Sequence, residues 1–215
     1  MDRRKHSERG SVFIEFAFCI ALLWIPLFFG TYQIGFNLIR AMQVTQICRD
    51  AGHMYSQGTD FSQSSAQTLL KGLMPGYINT AATGNTAMYF TKVVFVDDAA
   101  CSLVYSTPYS STCPNYHKLV VTQQIPLGNT SYTSKIATPG SLCNSTNSYQ
   151  IQPSDYLSNP AAIATGFPSA ITLSNSATPP VAQFPAYVSE MYVNSPDLNF
   201  WSSLGTSMEY AKFVF

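Results

Sequence analysis

The residues able to do chemistry in this chain are few, so their spacing can be checked directly. The histidines are His6, His53 and His117. None sits in an HExxH pair, and no CxxC or Cys/His array has the spacing of a zinc site. Phosphate-cradling glycine loops and the GxSxG nucleophile turn are absent from the sequence. Asp97 and Asp98 form a carboxylate pair, but no further oxygen ligands come after them at the intervals a calcium loop needs, so they read as a solvated turn. The triplets starting at Asn129 and Asn144 match a glycosylation acceptor, as chance allows in a Ser/Thr-rich chain. The expectation is a protein that is not an enzyme and uses no cofactor or metal. One residue still asks for a role. Glu15 is the only charged side chain between Ser11 and Leu38, inside an otherwise apolar run. A carboxylate at bilayer depth costs a few kcal/mol on insertion scales, so it marks function or a specific partner unless it reaches the interface.

The run around Glu15 determines the first element. More than 18 apolar residues in succession read as a membrane-spanning helix, because about 20 residues rising about 1.5 Å each cross the hydrocarbon core. Arg3, Arg4, Lys5 and Arg9 precede it, which places the N-terminus on the cytoplasmic side and exports the chain beyond the span. A removed secretory signal would share the basic head, but the apolar run is too long and no small-x-small cleavage site comes after it. Beyond the span, Ile34, Leu38, Ala41, Thr45, Cys48, Ala51 and Tyr55 recur at helical spacing. The spacing predicts one helix over 11–57, with Pro26 tolerated in its membrane half and Gly58 as its stop.

Only 10% of residues are charged, against about 25% in an ordinary soluble protein. The formal net charge is zero, which leaves no basic face for nucleic acid. Residues 60–76 read as a short helix capped by Asp60 or Ser62, with Leu69, Leu70 and Leu73 inward and Pro75-Gly76 at its end. The runs 88–98 and 117–128 read as a strand pair, and 184–193 and the closing MEYAKFVF as further strands. Between them, 126–183 is rich in Pro, Ser, Thr, Asn and Gly and reads as irregular. The fold class is therefore α+β: a long N-terminal helix, membrane-spanning and then exported and amphipathic, followed by a small antiparallel β-sheet domain with a long irregular insertion. The expected organisation is a basic leader over 1–10, the span over 11–39, the exported helix over 40–58 and an extracytoplasmic α+β domain over 59–215.

Cysteine usage fits export. Cys19 lies in the span, leaving Cys48, Cys101, Cys113 and Cys143 outside it, and four cysteines allow three pairings. Cys101–Cys113 would clip one loop, leaving Cys48–Cys143 as the companion pair. The tyrosines Tyr105, Tyr109, Tyr116, Tyr132, Tyr149 and Tyr156 suit either a recognition surface or the packing of a small β domain.

The opening residues also match a family pattern. A basic leader, Gly10, then Ser11-Val12-Phe13-Ile14-Glu15-Phe16 and an apolar helix resembles the class III signal of type IV pilins. Within that group the chain is similar to the TadE-like minor pseudopilins of the tight-adherence (Flp) pilus system. The RG-x-x-x-x-EF start, the proline in the span and the Arg-containing helix after it carry the resemblance, over residues 8–58. The major Flp pilins are shorter and have Tyr after the glutamate where this chain has Phe16. The resemblance implies cleavage by a prepilin peptidase between Gly10 and Ser11, and an assembly role for Glu15 and Phe16. It also implies, as partners, other pilins and pseudopilins, the inner-membrane assembly platform and the lipid bilayer. The implied location is the bacterial inner membrane, single-pass, with passage into a surface pilus open. The reading kept beside it is a single-pass anchored extracytoplasmic binding or adhesion protein.

Overall fold

The computed structural model describes residues 5–167, 185–195 and 208–215, with side chains from Val12 onward. Helix α1 runs over Lys5–Ser56 and passes through Pro26 without interruption. It therefore starts six residues before the expected Ser11. Lys, Glu, Ser and Arg are acceptable helix formers, and extending an existing helix costs far less than starting one. Its end is where Gly58 predicts. Gly58 adopts φ +94°, its N–H donates to Tyr55 O (3.0 Å), and Thr59 N–H donates to Met54 O (2.9 Å). Those two bonds close the last turn, and the positive φ favours a residue with no Cβ.

The chain divides into two units. Among the described residues the first is α1 up to Met42, and its apolar side chains face outward on all sides. Phe13 is 79% exposed and Leu22 75%, with Trp24, Ile34 and Met42 also exposed. This is the one helix among the described residues long and apolar enough to cross a membrane.

The second unit, Gln43–Ser195 with Met208–Phe215, is built on a four-stranded antiparallel sheet. Its strands are β1 (Thr86–Phe95), β2 (Leu119–Gly128), β3 (Ala186–Asn194) and β4 (Met208–Val214), in the order β2-β1-β3-β4. The α+β class and all four strand runs are as the sequence predicts. The pairing of β1 with β2 shifts register between Lys92 and Val93. On one face, Met88 and Phe90 of β1, Ile125 and Leu127 of β2, and Met191 and Val193 of β3 pack on the outer part of α1. The buried helix positions are Val44, Ile47, Cys48, Ala51 and Tyr55. Thr45, Ile34 and Leu38 from the predicted face are exposed. Buried positions Val44, Ile47, Cys48, Ala51 and Tyr55 form one i, i+3/i+4 stripe toward the sheet, and Thr45 falls beside it.

Helix α2 (Ser64–Leu73) comes next. Ala66 and Leu70 are its buried residues, whereas Leu69 and Leu73 are exposed, against expectation. The core opposite is already filled by Phe61, which stacks on Phe90 with ring centroids 4.1 Å apart, so a narrow Ala/Leu stripe closes the gap. Neither expected cap is used. Gln63 holds the cap position without a side-chain bond, and Asp60 accepts from Ser62 N–H (2.9 Å) in the turn before. Pro75 holds Met74 extended and stops the helix.

The opposite sheet face is covered by residues 129–167. Ile136, Ala137, Ile151, Ala162, Ala164 and Phe167 pack on Val93, Val121 and Val188. The stretch expected to be irregular is a run of single helical turns and bends over its described part, with short bridges from Ile163 to Val120 and Gln150 to Gln123. The rest of that expectation, 168–183, lies outside the described residues.

Candidate functional site

The expected processing and assembly residues all lie on α1. Gly10 and Ser11 are within its first turns, and the helix rises about 7.5 Å between Gly10 and Glu15. Glu15 and Phe16 are both exposed, among exposed Val12, Phe13, Ile14 and Phe18. A glycine inside a helix costs about 1 kcal/mol relative to alanine, so Gly10 is a weak position in the first turns of α1. The geometry is one carboxylate within an exposed apolar stretch of helix, about one and a half turns from Gly10.

The cysteines divide differently from the expected two pairs. Cys101 and Cys113 are bonded, 12 residues apart, within the β1–β2 connection. Cys48 and Cys143 are free thiols, which corrects the companion pairing. The register of α1 on the sheet explains it. Cys48 points at β3 and β4, with its Sγ 3.5 Å from Ser189 O and 3.6 Å from Ala211 O. Burial pushes its thiol up to about 12. Cys143 lies under the other face and packs with Val93, Val121 and Ile136, where burial raises its thiol to about 11.

A buried carboxylate that sequence reasoning missed lies at the centre of the sheet. Glu190 on β3 is 0% exposed. The Ser134 hydroxyl donates to its Oε2. Lys135 N–H (2.9 Å) and the Tyr210 hydroxyl (2.8 Å) donate to Oε1. Three donors on one carboxylate offset the cost of burying it and fasten the 129–167 segment to β3 and β4. Tyr210 is held protonated, by burial first and then by its bond to Glu190. Lys135 places its ammonium 4.0 Å from the Tyr210 ring centre. The signal in the sequence was a glutamate between Ser189 and Met191 in an otherwise uncharged strand, which alternation alone reads as solvent-facing.

The remaining candidates have local duties. Asp97 caps the turn Asp98–Cys101 through Ala100 N–H (2.8 Å), and Asp98 accepts from the Tyr116 hydroxyl (2.6 Å). Asn129 donates to Gly84 O (2.7 Å), and Asn144 caps a turn through Asn147 N–H. His117 has φ 59° and stacks on Tyr116, while the His53 ring lies tilted against Phe215, with centroids 4.4 Å apart. All six tyrosines, Tyr105, Tyr109, Tyr116, Tyr132, Tyr149 and Tyr156, pack against buried clusters, with Tyr132 stacked on Tyr192. Tyr156 also lines an open cleft beside β1 and β2. Among the described residues, no three His, Cys, Asp or Glu side chains are arranged to hold a metal ion. Comparison with known protein families, with curated proteins and with solved structures finds no match.

Proposed function

We propose that this chain is a TadE-like minor pseudopilin: a membrane-anchored protein, cut after Gly10 by a prepilin peptidase, that acts in assembly of a tight-adherence pilus at the bacterial inner membrane. The observation that carries the reading is Glu15, the only charged residue between Ser11 and Leu38 in an exposed apolar stretch of helix, five residues past Gly10. Cutting there removes Arg3, Arg4, Lys5 and Arg9 and creates a new α-amino group at Ser11. An amine and a carboxylate from neighbouring subunits offset each other's burial in an apolar bundle, and the pair favours one axial register over others. Leaving Glu15 without an amine to meet is the costly state, so uncut subunits assemble poorly. The alternative reading, an anchored binding or adhesion protein, drew on the tyrosines, which are half-buried and pack against apolar clusters.

The test is Glu15→Leu in the native host. The variant is expected to accumulate in the membrane at the normal level while piliation is lost. Normal piliation with Glu15→Leu would overturn the assembly role.

A further inference from the structure

Beyond the end of α1, where β1 pairs with β2, the structure has an open cleft. Met88 and Phe90 of β1 lie under the helix. Two and four residues further along, Lys92 and Val94 line an open cavity of 410 Å³ with Thr122, Gln150, Gln152 and Tyr156. The helix end marks its margin, where the Tyr55 hydroxyl donates to Gln123 Oε1 (3.1 Å) and Gln123 Nε2 donates to Ser148 O (3.0 Å). Gln123 is thereby committed to the wall. The amides of Gln150 and Gln152 are exposed and have no hydrogen-bond partner among the described residues. Lys92 is half-buried with its ammonium 5.9 Å from the Tyr187 ring centre, and among the described residues it is the only charged group lining the cleft.

We propose that this cleft binds a short acidic saccharide. Each part of the lining answers one part of such a ligand. The free amides each offer two donors and an acceptor, which matches hydroxyl pairs on a sugar ring. Tyr156 and Pro153 supply apolar surface for the C–H face of a ring. Lys92, with no lining carboxylate to neutralise it, takes the acid group. The volume falls within the range of small-ligand clefts, about 300–1,000 Å³. The proposal stands on the sheet domain alone and does not depend on the pilin reading.

The test uses the full chain in detergent micelles, with saturation-transfer NMR and titration against three probes: cellobiouronic acid, its neutral counterpart cellobiose, and the peptide Gly-Glu-Gly. Cellobiouronic acid is expected to bind best. Lys92→Gln should weaken it about tenfold or more, as for loss of a charge-assisted contact, and leave cellobiose unchanged. Gln152→Ala, at an exposed position, should weaken both sugars. No transfer to either sugar overturns the proposal, as does binding indifferent to both substitutions in variants with native circular dichroism. Gly-Glu-Gly binding as well as cellobiouronic acid would make this a plain anion site and overturn the saccharide assignment.

Discussion

The hydroxyl of Ser189 donates 2.8 Å to the main-chain carbonyl of Cys48, joining the middle of β3 to the outer half of α1. The approach is close because Gly52 stands one turn further along the helix. A Cβ on Gly52 would lie 2.5 Å from Ser189 Oγ and also clash with the Phe215 ring. In an open helix Gly→Ala stabilises by about 0.5–1 kcal/mol. Here the sign reverses, and Gly52→Ala should destabilise by about 1–3 kcal/mol through overpacking. Urea unfolding followed by near-ultraviolet circular dichroism measures it, and a gain in stability would show that β3 and Phe215 move aside freely.

The buried thiol of Cys48 predicts an alkaline limit. Its ordinary value of 9.0 rises to about 12 on folding. Above pH 9 the unfolded chain releases a proton that the folded chain keeps, so stability falls as pH rises between 9 and 12. Cys143, raised to about 11, adds to the lower part of that window. Cys48→Ala should flatten the decline, and an unchanged slope between pH 9 and 11 in that variant would rule out the thiol as its cause.

Glu190 predicts a large effect from a residue distant from any surface chemistry. Glu190→Ala strands the buried Ser134 hydroxyl, at about 1–3 kcal/mol, and the part-buried Lys135 N–H and Tyr210 hydroxyl, at less each. Tyr210→Phe removes one donor and keeps the other two, so it should cost about 1.5–3 kcal/mol. If the two variants are equally stable to urea, the carboxylate is not the fastening.

How much was legible depends on how local each signal is. The stop at Gly58, the β1–β2 pair and the Cys101–Cys113 bond lie within short stretches of chain, and the sequence carries all three. Leu69 and Leu73 misled because a helix's inward stripe depends on what already fills the space opposite, here Phe61 against Phe90. Cys48 and Cys143 misled because pairing by elimination ignores which sheet face each one occupies. Glu190 was illegible for a related reason: its three donors come from residues 134, 135 and 210, brought together only by the folded sheet. The Gly10–Glu15 spacing is the reverse case, a linear pattern that another protein would read along the chain, visible without any fold.

The central claim is cleavage after Gly10. The direct measurement is the intact mass and N-terminal sequence of the protein purified from membranes of cells with and without a prepilin peptidase. With the peptidase, the account predicts a chain beginning Ser-Val-Phe-Ile-Glu, and without it a chain that keeps residues 1–10. A chain that keeps its leader in both, or one cut elsewhere, would contradict the account.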